Sequence, residues 1–253
     1  MITRRSRNEL DLMRSACSTV GEILLRLAEL VRPGITTEDL DRYAEEWTLE
    51  SGATPAFKGY QVGPNVYPST LCVSINEEVV HGMPSPRRHL AEGDIVGLDF
   101  GVVRGGYYGD SAITLGVGKT SEKADDLIRI TREALDKGIE QMHVGNRIRD
   151  ISEAIQNHAE ASGYGVVRDF VGHGIGQRLH EEPQVPNYVG RGQNPRLKEG
   201  MVLAVEPMVC EGTYEVEVLD DGWTAVTRDR KLAAHFEHSI AITEDGPEVL
   251  TRV

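Results

Sequence analysis

The spacing of apolar residues along the chain predicts two pairs of helices, each pair followed by strands. From about Asn8 to Val31, the residues Met13, Cys17, Val20, Ile23 with Leu24, Leu27, and Leu30 with Val31 recur every three or four positions, the period of an amphipathic helix. Pro33-Gly34 ends it. Thr36 or Thr37 then serves as N-cap for a second helix through Leu40, Tyr43, Ala44 and Trp47, which Ser51-Gly52 closes. Farther on, Leu127, Ile128, Ala134, Leu135, Ile139 and Met142 define a third helix. After Gly145-Asn146 a shorter fourth carries Ile148, Ile151, Ile155 and Ala159 up to Ser162-Gly163. The two stretches match under one shift, 145 − 34 = 111, which pairs Glu22 with Glu133, Leu24 with Leu135, Glu29 with Glu140 and Asp39 with Asp150. The same shift pairs Gly34 with Gly145, Ser51 with Ser162 and Gly52 with Gly163, at helix ends where the chain needs glycine. No low-complexity segment separates the halves. Residues 1–253 therefore read as one α+β domain with an internal pseudo-two-fold repeat and a site at the seam.

Strand patterns follow each helix pair. In the first half they run from Thr70 to Ile75, Ile95 to Val103 and Tyr107 to Val117, with Arg104-Gly105-Gly106 as a hairpin turn. In the second half they run from Val166 to Phe170, Met201 to Val209, Thr213 to Leu219, Trp223 to Val226 and Phe236 to Thr243. If Gly105-Gly106 is a two-residue loop, Arg104 faces Tyr107, Asp99 lies opposite Ala112 and Asp110 opposite Gly101. Both aspartates then share a face as diagonal neighbours, about 7 to 8 Å apart at the backbone.

Asp99 sits in the apolar run Ile95-Val96-Gly97-Leu98-Asp99-Phe100, where an unpaired charge would cost several kcal/mol. A solvated edge charge or a turn residue is the plainer reading of these acids. Burial argues instead for a metal or a cation. Glu206 repeats the pattern at the end of Met201-Val202-Leu203-Ala204-Val205, before Pro207, and Glu237 does so between Phe236 and His238. The stretch Gly172-His173-Gly174-Ile175-Gly176-Gln177-Arg178-Leu179-His180-Glu181-Glu182 adds two imidazoles among glycines that let backbone approach a ligand closely. Its G-x-G-x-G spacing fits neither a dinucleotide nor a P-loop cradle. Asp99, Asp110, Glu206 and Glu237 with His173 form an oxygen-rich set suited to divalent Mn, Fe, Co or Zn, and four carboxylates imply two bridged ions that clamp an attacking water. Asp99-Phe100-Gly101 also spells the kinase metal motif, but no catalytic-loop signature or phosphate-covering glycine loop accompanies it.

Composition narrows the class. A chain of 253 residues, 40% of them hydrophobic, can bury a sizeable core, and a net charge of −13 at pH 7 disfavours general nucleic-acid binding. The basic start, Met1 to Arg7, is followed by Asn8-Glu9-Leu10-Asp11 and not by an apolar run, so it is no secretory signal, and nothing reaches membrane-spanning length. Cys17, Cys72 and Cys210 cannot all pair and lack a C-x-x-C arrangement, which reads as reduced, buried thiols in a cytoplasmic protein.

The chain resembles the type I methionine aminopeptidases of the pita-bread metallopeptidase superfamily. The resemblance rests on Asn76-Glu77-Glu78-Val79-Val80-His81-Gly82-Met83-Pro84, Gly93 to Asp99, Gly106-Tyr107-Tyr108-Gly109-Asp110, Gly172 to Gly176 with His180-Glu181-Glu182-Pro183, Gly200-Met201 to Glu206-Pro207, and Phe236-Glu237-His238. It implies a fold of two pseudo-symmetric halves, helices outside a curved antiparallel β-sheet. It also implies two divalent ions (Co, Mn, Fe, Zn or Ni) on Asp99, Asp110, His173, Glu206 and Glu237, Asp110 and Glu237 bridging them. A bridging water or hydroxide would attack the first peptide bond of a nascent chain whose second residue is small. Glu206 would shuttle the proton, His180 would stabilise the developing oxyanion, and His81 would contact the nitrogen of the second residue. Phe57, Tyr60, Tyr67, Cys72, His81, Leu179 and Trp223 would line the thioether pocket, where aromatic rings and a thiol suit sulfur. Ordinary core or rim packing is the plainer reading of each.

The implied partners are N-terminal methionyl peptides and nascent chains, with transient ribosome contact, no membrane, no specific nucleic acid, and a monomeric enzyme. Three features depart from the common pattern. Residues 61–66 are longer than in many relatives, Leu179 stands where phenylalanine is frequent, and Val80 stands where cysteine is frequent. Neither a cysteine-rich amino-terminal extension nor a long helical insertion between Glu206 and Glu237 is evident, which suggests the short bacterial form. Two rivals use the same fold: a proline-directed aminopeptidase or prolidase, and a non-catalytic peptide-binding relative that has lost metal ligands.

Overall fold

The computed structural model describes residues 2–252. Four helices form where the periodicity places them. Helix α1 spans Arg7–Leu30 and α2 spans Thr37–Glu50, each opened by a capping box, Ser6 with Glu9 and Thr36 with Asp39, so that two orphan amides are satisfied at each start. Helix α3 spans Glu122–Ile139, N-capped by Ser121, and α4 spans Ile148–Ala161. The third helix thus starts a turn before the first apolar residue of its pattern and stops short of Met142, which packs in the core from the following turn. Helices α2 and α4 begin and end 111 positions apart, and the turns before and after them use positive φ at Gly34 and Gly145 and at Gly52 and Gly163.

The central hairpin joins Ile95–Arg104 to Tyr107–Gly116 in the expected register, Arg104 facing Tyr107, Asp99 facing Ala112 and Asp110 facing Gly101. Gly105 and Gly106 both take positive φ, which matches a two-residue turn to the twist of the strands. Leu71–Ile75 and Thr54–Pro55 pair along the other side of Ile95–Arg104. A second sheet runs Glu181–Val185, Gly172–Gly174, Val202–Val205, His238–Thr243 and Gly246–Val249 in spatial order. A bridge between Ala112 and Glu237 stitches the two sheets, with the Glu237 amide donating to the Ala112 carbonyl at 2.9 Å. Helix α1 packs against the hairpin, burying Ala16, Val20, Leu24 and Leu27 with Leu98, Phe100 and Val102. In the other half, Leu135, Ile151 and Ile155 pack with Leu203, Val205 and Ile240.

Second-half strands are shorter than their apolar patterns. The run from Met201 to Val209 is two strands, Val202–Val205 and Met208–Cys210, because Pro207 has no amide to continue the ladder and Glu206 turns aside. The run from Phe236 to Thr243 contributes only His238–Thr243, and Glu237 falls in the gap after Ala233–His235. From Val166 to Phe170 only Gly165–Val166 is strand; the Val167 amide still donates to the Met208 carbonyl at 3.0 Å before the chain leaves the sheet. The 61–66 segment is a small hairpin, Gln61–Val62 against Asn65–Val66. All three cysteines are free and buried, and among the described residues no helix is long and apolar enough to cross a membrane.

Candidate metal and peptide site

Direct partners across a β-ladder present side chains to the same face. Asp99 faces Ala112, and Ala112 faces Glu237 across the bridge between sheets, while Asp110 lies two residues before Ala112 on the same strand. In the second sheet His173 faces Ala204, two residues before Glu206. The five side chains therefore reach one cavity of about 310 Å³ from both halves of the chain. Atoms of Asp110, His173 and Glu237 able to ligate an ion lie within 4.8 Å of one another. His173 Nε2 is 3.5 Å from Glu206 Oε1 and 4.0 Å from Asp110 Oδ2.

Electrostatics at this spot are unfavourable without a cation. Burial pushes the Asp99 carboxyl up to about 7, and burial with mutual repulsion pushes Asp110, Glu206 and Glu237 well above the ordinary carboxylate range. Asp99 Oδ1, Asp110 Oδ1 and Glu237 Oε1 are buried and make no hydrogen bond to any described residue. Such oxygens are costly to leave bare, and a divalent ion satisfies them. His173 is prepared for the same role. Its Nδ1 donates to the Gly174 carbonyl at 3.0 Å, since a carbonyl can only accept, and burial lowers the ring to about 3. The neutral ring thus keeps the lone pair of Nε2 for a ligand.

Every other residue named from the sequence lines the same cavity: Phe57, Tyr60, Tyr67, Cys72, His81, Leu179, His180 and Trp223. The Tyr60 hydroxyl lies 2.6 Å from His180 Nδ1, and the His180 ring meets His173 edge-on with centroids 4.4 Å apart. Tyr67 packs edge-on to Trp223 at 5.2 Å and anchors its hydroxyl on the Gly82 carbonyl at 3.0 Å. Burial lowers His81 to about 4, so the ring is neutral, and its backbone φ of 61° is held in the left-handed region beside Gly82. A side chain at Gly82 would strike the Val73 carbonyl, which fixes that close approach.

The glycines around His173 act differently from the expectation. None of Gly172, Gly174 and Gly176 has positive φ, and a Cβ there would strike the Ala204 carbonyl, the Glu182 carbonyl and the Arg5 guanidinium respectively. They admit neighbouring protein rather than a ligand. Val62 of the 61–66 stretch and Val80, both noted in the sequence as departures from the common pattern, stand in the cavity wall, and sequence reasoning missed Phe170 and Val171 there. His235 was missed as well; it is buried, lowered to about 3 by that burial, with Nε2 3.8 Å from Glu206 Oε2. A histidine two positions before Glu237 is the one signal that could have drawn attention to it.

Residues 11–244 match the metallopeptidase family M24. The chain belongs to that family. It is 53% identical to a methionine aminopeptidase of Clostridium perfringens and 47% identical to methionine aminopeptidase 1 of Bacillus subtilis, each over 100% of both chains. Among solved structures, a methionine aminopeptidase of Thermotoga maritima superposes with a TM-score of 0.96 at 45% identity over 100% of both chains. A prolidase of Pyrococcus furiosus gives a TM-score of 0.80 at 22% identity, covering 99% of this chain and 65% of that one, which speaks for the fold alone. Membership in M24 makes this a metal-dependent peptidase of the pita-bread fold, and the acid cluster is where its residues fit a divalent ion.

Proposed function

We infer that the protein is a metalloaminopeptidase that removes N-terminal methionine from peptides and nascent proteins with a small second residue. The observation that carries this reading is a set of buried, unpartnered carboxylate oxygens directly beside a pocket of aromatic rings and one thiol. Full-length likeness to methionine aminopeptidases at 43–53% identity supports it.

The reading assigns two divalent ions to the cluster, which Asp99, Asp110, His173, Glu206 and Glu237 would hold. Divalent ions held there would acidify bound water and polarise the scissile carbonyl. The residues divide the remaining work. Glu206, lining the cavity beside His173, accepts a proton and passes it to the departing amine. His180, held by the Tyr60 hydroxyl, donates toward the carbonyl oxygen as charge develops there. His81, neutral and facing Phe170 and Trp223, contacts the nitrogen of the second residue. Phe57, Tyr60, Tyr67, Cys72, Leu179 and Trp223 enclose the methionine side chain and exclude water from it.

The test is turnover of Met-Ala-Ser against Ala-Pro-type peptides with Mn or Co added. Cleavage of Met-Ala-Ser is the expected result. Cleavage only before proline would assign the chain to the proline-directed class, and silence with every metal would mark a binding protein.

A further inference from the structure

The turn that carries Leu179 and His180 is held from outside the cavity. Its anchor is Arg5, in the arm ahead of α1, whose side chain is 4% exposed and pairs with Glu181, itself 9% exposed. The guanidinium also lies against Gly176, where a side chain would displace it. Glu181 is the residue after His180, and its other oxygen accepts the amides of Gln177 at 2.9 Å and Arg178 at 3.2 Å. One carboxylate thus joins the arm to both ends of the turn. The arm is fixed in place in turn: the Arg5 amide donates to the Gly200 carbonyl at 2.6 Å and Arg4 Nε to the Glu199 carbonyl at 2.7 Å. On the opposite side, Gln177 Nε2 donates to the Tyr107 hydroxyl at 3.2 Å, which donates to Glu9 at 3.0 Å.

We propose that Arg5 is a positioning residue for His180, acting through Glu181 to hold the 176–181 turn in its productive shape. This rests on the assignment of His180 above. Arg5 touches none of the cavity residues' reacting atoms, so the effect must pass through the turn. Without the guanidinium, Glu181 is a buried charge that draws water into the turn or swings outward, and His180 moves with it. A catalytic group displaced by about 1 Å loses rate on the order of 100-fold, so a partial displacement predicts a loss between 10- and 100-fold.

The experiment uses the full chain loaded with Mn and Met-Ala-Ser as substrate. Arg5→Met is expected to lower kcat by more than it raises KM, since the turn also carries Leu179, with Mn affinity, by calorimetry, unchanged. Arg5→Lys, which keeps one charged donor for Glu181, should recover part of the rate. In metal-free protein, the Gln177 and Arg178 amides should exchange hydrogen faster in Arg5→Met than in wild type. The decisive arm repeats Arg5→Met in a His180→Ala background, where it should cost nothing further, because the group it positions is gone. An equal loss in both backgrounds, a wild-type rate for Arg5→Met, or weakened Mn binding would overturn the proposal. Should Arg5→Met fail to fold, Glu181→Gln carries the same comparison. Wild type is measured in parallel, so absence of its turnover would refute the functional reading, not this one.

Discussion

Removing one acid from the cluster should stabilise the metal-free protein while destroying what the cluster is for. Asp99→Asn is the sharpest case. The Asp99 carboxyl, ordinarily near 3.8, is pushed to about 7 by burial, a gap of about 3 that corresponds to roughly 4 kcal/mol against the ionised form at pH 8. The amide that replaces it is buried with imperfect partners, which takes back about 1–3 kcal/mol. The net gain is then about 1–3 kcal/mol, or roughly 2–12 °C in Tm for a chain of this size. The sign with pH follows from the direction of the shift. A carboxyl raised in the folded state favours folding while protonated, and that contribution is lost as pH rises from about 4 through about 7. The advantage of the variant should therefore be largest at pH 8 and fall by about 2 kcal/mol at pH 5.5, to near zero. The assay is thermal melting of both proteins after metal stripping, at the two pH values, then with excess Mn. Mn should raise wild type far more than the variant, because only the native set holds the ion tightly. A variant melting at or below wild type at pH 8, or a gap indifferent to pH, would refute the idea that these acids are strained without a cation.

Three further outcomes are expected. Mn should bind more tightly as pH rises from 6 to 8 with release of protons, because ions displace them from carboxyls that burial holds well above their ordinary range; identical binding heats in two buffers of different ionisation enthalpy would contradict this. His81→Ala and His180→Ala should keep their metal but lose rate, whereas Glu206→Gln and His173→Ala should lose nearly all turnover with circular dichroism unchanged; metal analysis and peptide assays separate the two classes. Gly109→Ala should lower the unfolding free energy by about 1–3 kcal/mol, read as a lower denaturant midpoint, since its Cβ would sit 2.8 Å from the Cys17 amide nitrogen of α1 and backbone cannot yield; an unchanged midpoint would show that α1 is free to shift.

The first half of the chain was legible because its signals are local. The Gly105-Gly106 turn sets the hairpin register, and register alone puts Asp99 and Asp110 on one face. Thr36, one of the two N-cap candidates in the sequence, likewise acts within one turn of its helix. Signals faded in the second half, where apolar runs overstated the strands. Hydrophobicity reports burial, and Met208, Phe236 and Val167 are buried whether or not they stand in a ladder. The glycines of 172–176 were recognised as a site but for the wrong reason, since what approaches them is the Ala204 and Glu182 backbone and the Arg5 side chain.

By itself the sequence determined the helices, the hairpin register, and which acids are too apolar in setting to stand alone, because each depends on neighbours within a few positions. Whether those acids meet depended on the Ala112–Glu237 bridge that joins the two sheets. The same is true of Arg5 reaching Glu181 across 176 positions, and of His235 facing Glu206. Contacts of that kind arise only when separate elements pack, and no local pattern encodes which face of one element another will cover.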